Sequence, residues 1–383
     1  MIQNQLFMAK VLHPKKLGPY IMQDEIGHGS YSSVVKAVRI DGEIYSACKI
    51  ISKKMLNQTI NPEQVEKEVH VLHQIQHKRV IKLVDLMQDT INFYLFLEYC
   101  PGGNMASKII KNGKIPENQA KRYFFQLMQG IDFIHDNKVA HRDIKLENVL
   151  LDSKDNVKIA DFGFSRFIEP GTLSSTMCGT PAYAAPEIYC SNTYDPMSSD
   201  IWSCGVVLYT MITGHLPWHG HNQLSIMDQI MNGHFFFPTY ISHPLADLIT
   251  QMMNKDPSQR LTSKDILNHH WFKDFTDNQD EYSEIIAIDE QRIEECLTFE
   301  NKLVFPSMLQ NMFDDKKNGK IIVPILNAFT RRKSVDPAGI GAHSQLRINF
   351  HKTKSSDIAH ATRRGSIAGV QIKTLQKNPT ITC

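Results

Sequence analysis

Short runs of apolar and β-branched residues dominate the first part of the chain. Tyr20–Ile26 and Val34–Val38 are two such runs, and Asp41-Gly42 marks a hairpin turn before a third, Ile44–Ile51. Residues 18–53 therefore read as strands. The spacing then changes. Asn61-Pro62 offers an N-cap and a proline suited to the first helical turn, and Val65, Val69, Leu72 and Ile75 follow at helical intervals. Phe93–Leu97 is a continuous apolar run, which predicts a buried strand. Pro101-Gly102-Gly103 breaks the chain directly after it and predicts a hinge between two lobes. From about residue 117 to 272 the pattern is mostly helical. Ala120, Phe124, Leu127, Ile131 and Ile134 make one apolar face, and Asp200–Thr213 and Ala246–Met253 predict further buried helices. The expected fold is α+β: a small β-rich lobe with one main helix, a larger helical lobe, then a tail.

Composition agrees with a globular protein. The chain has 383 residues, 42% of them hydrophobic, and a formal net charge of +2. That balance argues against a dedicated nucleic-acid binder. The seven cysteines are scattered and odd in number, with no C-x-x-C pair, which argues against a disulfide framework or a zinc ribbon. A reducing compartment is expected: the cytoplasm, with nuclear entry left open. The N-terminus has no signal-peptide pattern, and no apolar run is long enough to span a bilayer. With Cys383 last, no prenylation box is expected. The net charge hides two opposed stretches. Residues 275–300 carry nine acids against Arg292, whereas residues 301–383 are basic. Residues 273–383 are expected to be an acidic-then-basic regulatory tail, partly disordered.

Four segments carry the chemistry. Gly27-His28-Gly29-Ser30-Tyr31-Ser32-Ser33-Val34 lies between two expected strands, where glycines let backbone N–H groups approach phosphate oxygens. Alone it could be an ordinary hairpin. A strand follows rather than a helix, so it is no Rossmann turn, and it lacks the lysine of a Walker A loop. Lys49 sits in the apolar run around Ala47 and Ile50. Either it faces solvent on an edge strand, or it is buried against a carboxylate. Glu68 on the next helix is the candidate partner, with Glu63 and Glu66 as competitors. The third segment is His141-Arg142-Asp143-Ile144-Lys145-Leu146-Glu147-Asn148, and the fourth is Asp161-Phe162-Gly163. Asp143, Asn148 and Asp161 are hard oxygen donors of the kind that Mg²⁺ and a substrate hydroxyl require. Any one of them could be a turn or a cap. Their order and spacing together leave that reading little room.

With Ala185-Pro186-Glu187, this set resembles a eukaryotic protein kinase of the Ser/Thr type over about residues 18–272. Cys178-Gly179-Thr180-Pro181 and the hinge Glu98-Tyr99-Cys100-Pro101-Gly102-Gly103 are similar to the calmodulin-dependent and AMP-activated-like group, and testis-specific serine kinases are similar too. The resemblance implies an N-terminal extension at 1–17, an N-lobe at about 18–97, a hinge at 98–103 and a C-lobe at 104–272. It implies ATP and Mg²⁺ as cofactors. Residues 27–34 would cover the ATP phosphates, Lys49 would hold them and pair with Glu68, and Ile26, Val34, Ala47 and Leu150 would enclose adenine. Glu98 and Cys100 would offer backbone hydrogen bonds. Asp161 and Asn148 would bind metal, Asp143 would receive the hydroxyl proton, and Lys145 would steady the transferring phosphate. Lys145 in H-R-D-x-K-x-x-N, with Thr180, resembles Ser/Thr rather than tyrosine kinases. Thr176 is the expected activating phosphosite, set there by an upstream kinase and paired by Arg142; Thr172, Ser174 and Ser175 compete with it. Protein substrates are expected. Ser32 replaces the third loop glycine, a common variation compatible with nucleotide binding. Asn104 stands where arginine-directed relatives often have an acid, while Glu147 is retained, so a partial basic preference is expected and peptide specificity stays open. The rival reading is a catalytically weak kinase-fold scaffold that binds partners through its tail.

In the tail, Ser334 and Ser366 each follow Arg-Arg-x, the string that basophilic kinases phosphorylate. Ile321, Ile322, Ile325, Leu326 and Phe329 precede Arg331-Arg332-Lys333. This stripe reads as a calmodulin-type target, an autoinhibitory segment or a docking segment packed on the kinase lobe, with Pro324 cutting the helix that calmodulin would need.

Overall fold

The N-terminal runs fold into one antiparallel sheet of six strands. They are β1 (Lys16–Leu17), β2 (Tyr20–His28), β3 (Ser32–Arg39), β4 (Tyr45–Ser52), β5 (Leu83–Gln88) and β6 (Asn92–Glu98), in the order β1-β2-β3-β4-β6-β5. The structure is a computed structural model that describes residues 11–29, 32–42, 44–53, 63–169, 172–176, 178–220, 222–277 and 288. All of these lie in one compact unit, residues 1–321. Ser30, Tyr31, Asn61-Pro62, Ser334, Ser366 and the stripe at 321–329 lie outside the described residues.

Period-two alternation gives the sheet two unlike faces. Val35, Ala37, Cys48, Ile50, Tyr94 and Phe96 are buried on one face, with Tyr20 stacked on Phe96 at 3.9 Å between ring centroids. The opposite face carries Val34, Lys49 and Leu95 in one cross-strand row and Lys36, Ala47 and Leu97 in the next. A slip of one residue in β4 would send Lys49 into the apolar face, so the pattern that forms the core also aims the lysine. Helix α1 (Glu63–Gln74) follows β4 and buries Val65, Val69 and Leu72, with Glu68 among its buried residues.

Beyond β6 the chain turns through the expected hinge. Gly102 N–H donates to Leu151 O at 3.0 Å, and Leu151 N–H to Gly103 O at 2.8 Å. A Cβ on Gly102 would lie 2.7 Å from that of Leu151, and Gly103 has φ +70°, so glycine is required at both positions. Helix α2 (Met105–Asn112) starts at Asn104, whose Oδ1 accepts Ser107 N–H at 2.8 Å. The residue standing in place of an acid is thus occupied as a helix cap.

Helix α3 (Glu117–Asp136) buries the whole face expected of it. Helix α4 (Pro186–Cys190) leads to α5 (Pro196–Thr213), which begins before the expected Asp200 because Asp195 caps it and Pro196 fits its first turn. Every residue from 199 to 213 is buried, as for a helix at the centre of a lobe. Helix α6 (Gln223–Asn232) follows, then α7 (His243–Met252), which packs on α5 and starts early at its cap Ser242, and α8 (Ser263–Leu267), which packs on α3. Four short strands lie within this lobe: β7 (Val139–Ala140) pairs with β10 (Arg166–Phe167), and β8 (Val149–Leu151) with β9 (Val157–Ile159). No helix among the described residues is long and apolar enough to cross a membrane.

Arg260 fastens α4 to the lobe. Its guanidinium grips Glu187 at 2.7 and 3.1 Å and also donates to the carbonyls of Asn254 and Ser198. Both charged side chains are buried.

Candidate active site

The loop between β7 and β8 carries His141 to Asn148 and is shaped from within. Asp200, buried in α5, accepts the N–H groups of His141 at 2.8 Å and Arg142 at 2.7 Å. The His141 ring donates from Nε2 to Ala160 O at 3.0 Å, while its Nδ1 accepts Asp143 N–H at 3.3 Å. Arg142 is held at φ +67°, an uncommon conformation for a side-chain-bearing residue that these bonds sustain. The result presents Asp143 in a fixed pose. Its Oδ2 accepts Lys145 Nζ at 2.6 Å, and its Oδ1 accepts the Thr180 hydroxyl at 2.8 Å. Lys145 Nζ also reaches Thr180 Oγ1 at 3.1 Å. Asn148 Nδ2 donates to the Asp143 carbonyl at 2.8 Å, so its amide oxygen is the atom left to ligate a cation.

A second cluster joins the sheet to this loop. Lys49 Nζ lies 2.6 Å from Glu68 Oε1 and 2.9 Å from Asp161 Oδ1. Glu68, the partner expected from the sequence, is bonded to Lys49. Burial alone would lower the Lys49 pKa, but the Asp161 and Glu68 carboxylates outweigh it and raise it above the ordinary lysine range. For Glu68, burial outweighs Lys49 and raises the carboxyl above its usual range. Asp161 goes the other way: the Lys49 ammonium draws it down to about 2 against its own burial. Asp161 keeps 40% of its side chain exposed, so an ionised carboxylate stands open to the cleft. It sits at φ +65°, followed by the buried Phe162, whose ring meets His141 edge-on at 4.8 Å. Gln64 Nε2 of α1 donates to Gly163 O at 2.7 Å, tying that helix to the same segment.

Above these groups, β2 and β3 form a hairpin closed by Gly29 N–H to Ser32 O at 2.8 Å. His28 is exposed, Ser32 half-buried and Ser33 buried. Val34, Ala47, Leu97 and Leu150 are half-buried apolar side chains, and Ile26 is exposed. Cys100 is buried. The Glu98 side chain is engaged with Lys158 of β9 at 2.6 Å, both deeply buried. The Glu98 N–H is also engaged, donating to Lys82 O at 2.9 Å.

Between β10 and α4 the described residues separate the competing phosphosites. Ser174 is 2% exposed and bridges to Tyr194 through paired backbone hydrogen bonds, whereas Thr172, Ser175 and Thr176 are exposed. The carbonyl of Thr176 accepts the Tyr194 hydroxyl at 2.8 Å. Arg142 Nε donates to Phe164 O at 2.7 Å, and its Nη1 is buried without a hydrogen-bond partner.

Several functional contacts escaped the sequence reading. Asp200 begins an expected helix and His141 the third chemical segment, yet nothing local says that one braces the other's loop. Lys158 in β9 looks like an outward residue of a short strand. The Thr180 hydroxyl bond to Asp143 joins positions far apart in the chain, which no spacing rule reveals.

A six-stranded lobe with a lysine–carboxylate cluster, facing a helical lobe with an Asp–Lys–Thr cluster, defines a two-lobed kinase fold. The chain belongs to the protein kinase domain family, which matches residues 20–272. It is 36% identical over 260 residues to CBL-interacting protein kinase 11 of Oryza sativa subsp. japonica, covering 67% of this chain and 52% of the relative. It is 35% identical over 264 residues to CBL-interacting serine/threonine-protein kinase 8 of Arabidopsis thaliana, covering 68% and 59%. CBL-interacting protein kinase 32 of rice is 36% identical over 262 residues, covering 68% and 60%. The chain spans about half to three fifths of the length of these curated relatives.

Proposed function

We propose that the protein is a serine/threonine kinase that transfers the ATP γ-phosphoryl group to hydroxyls of protein substrates. The catalytic unit would occupy residues 18–272, with 273–383 as a regulatory tail. One observation carries the reading: Lys49–Glu68–Asp161 ties the sheet lobe to the helical lobe, and Lys145–Asp143–Thr180 is bonded within the helical lobe. Phosphoryl transfer asks a protein chiefly for positioning and charge neutralisation, and these clusters supply both.

The residues fit Mg²⁺. Asp161 is a partly exposed carboxylate held ionised down to about pH 2, and Asn148 presents an amide oxygen. Mg²⁺, when bound, neutralises charge on the phosphate oxygens. The chain does the rest. The β2–β3 hairpin lays backbone N–H groups over the phosphates. Lys49, held between two carboxylates, aims its ammonium at them. Asp143 orients the incoming hydroxyl and takes its proton. Lys145, already on Asp143, brings a positive charge to the transferring group. Thr180 fixes both at one oxygen, which supports Ser/Thr rather than Tyr acceptors.

Phosphorylation of Thr176 by an upstream kinase would activate the enzyme. Thr176 is exposed, and the unpartnered Nη1 of Arg142 is a ready donor for a phosphate. Cys48, Cys100, Cys178, Cys190 and Cys204 are free thiols, which supports a cytoplasmic location. Peptide phosphorylation by the wild type against Asp143→Asn tests the reading.

A further inference from the structure

Two residues beyond the matched region are built into the fold. Asp277 receives Arg79 Nη2 at 2.8 Å, and the two side chains are only 5% and 3% exposed. Gln126 Nε2 of α3 donates to the same carboxylate at 3.1 and 3.3 Å. Further on, Ile288 is 7% exposed, and its N–H donates to Leu83 O at 3.1 Å. Leu83 begins β5, an edge strand of the sheet, and pairs with Leu97 in β6, next to the hinge.

Arg79 is a sensitive point to hold. It lies where the chain leaves α1, the helix that presents Glu68, and enters β5. Its carbonyl accepts Ile159 N–H at 2.7 Å, and Ile81 N–H returns to Ile159 O at 2.9 Å. Ile159 ends β9, just before Ala160 and Asp161. Arg79 Nε also donates to Gln129 Oε1 of α3 at 3.2 Å. The exit of α1, the approach to Asp161 and the body of α3 thus meet at Arg79, through its backbone on one side and its guanidinium on the other, and Asp277 binds that guanidinium.

We propose that Asp277 is a positioning residue for phosphoryl transfer. Acting through Arg79, it fixes the exit of α1 and so keeps Glu68 on Lys49, with Ile288 docked on β5 as a second anchor. The acidic stretch then begins with a residue that completes the catalytic unit. A buried carboxylate between a guanidinium and an amide suits this role, because its removal leaves a buried cation less well satisfied. The proposal rests on the kinase reading, and its first readout does not depend on activity.

The test compares full-length wild type, Asp277→Asn and Asp277→Glu by hydrogen–deuterium exchange over residues 64–88, and by kcat and KM for ATP and a peptide. Loss of a charged buried hydrogen bond predicts exchange at α1 faster by about tenfold or more in Asp277→Asn, at conditions where the global fold persists. It also predicts a lower kcat with peptide KM unchanged, and recovery of most of both in Asp277→Glu. Exchange at α1 equal to wild type in Asp277→Asn overturns the proposal, as does an unchanged kcat. If Asp277→Asn does not fold, Ile288→Ala carries the same comparison at the second anchor. If the wild type transfers no phosphate, the kinase reading fails, and the exchange data still decide whether Asp277 fixes α1.

Discussion

Arg260→Met is the substitution whose cost the geometry defines best. Arg260 is fully buried and forms a two-pronged contact with Glu187 at 2.7 and 3.1 Å. It also supplies N–H groups to Asn254 O at 3.1 and 2.9 Å and to Ser198 O at 2.8 Å. Methionine fills similar volume but returns none of these donors. Glu187, 7% exposed, would keep its charge without a cation, and breaking one side of a buried pair costs about 3–5 kcal/mol. Lysine should recover only part, since a point charge cannot match a planar fork. Replacing both partners with apolar residues often rescues such a pair. It should do so only in part here, because the carbonyls of the half-buried Asn254 and Ser198 still lose their donors, at up to about 1–3 kcal/mol per group. For a domain of this size, about 2–4 °C in Tm accompanies each kcal/mol, so Arg260→Met should lower Tm by roughly 6–20 °C. Calorimetry and urea unfolding at one ionic strength make the comparison. A loss below about 1 kcal/mol, or full rescue by the apolar double variant, would refute the reasoning.

Lys49→Met should reduce turnover by about 10²–10³-fold, the usual cost of one preorganised charge contact, and steady-state phosphorylation kinetics read it. Thr176→Ala should lower activity strongly in fully purified protein, and unchanged specific activity would contradict the activation assignment. His70 and His77 are both held near 4 rather than 6.5, chiefly by burial, with the charges of Arg79, Lys78 and Lys158 adding to the effect at His77. Each prefers to be neutral in the fold, so its contribution is fully present above pH 6.5 and is lost as pH falls towards 4. His77 stacks on Phe133 at 4.7 Å, so His77→Phe should keep the packing and flatten the stability profile over that window. An equally steep profile in the variant would count against it.

What the sequence disclosed follows physical lines. Strands with a two-residue period and helices with one apolar face were legible because burial imposes those periods locally. Lys49 was ambiguous by itself: the same run fits an edge strand facing solvent. Only the chain path places Glu68 rather than Glu66 on it. The start of α5 was misplaced because Asp195 and Pro196, the cap and first turn, carry no apolar signal. The long-range ties were silent. Lys158 and Glu98 form a buried pair across the two lobes, and Asp200 holds a loop nearly sixty positions earlier in the chain. Asp277 looked like one acid among nine in a solvated stretch, and only the position of Arg79 makes it a buried partner.

The central claim is that Asp143 serves transfer of phosphate to Ser and Thr hydroxyls. The direct measurement is transfer from γ-labelled ATP to matched Ser, Thr and Tyr peptides by full-length wild type and Asp143→Asn, both phosphorylated at Thr176. The account predicts label on Ser and Thr, none on Tyr, and a rate lower by about 10²–10⁴-fold in Asp143→Asn, the range for loss of a positioned base. Equal rates for the two proteins, or two equally inert proteins, would contradict it.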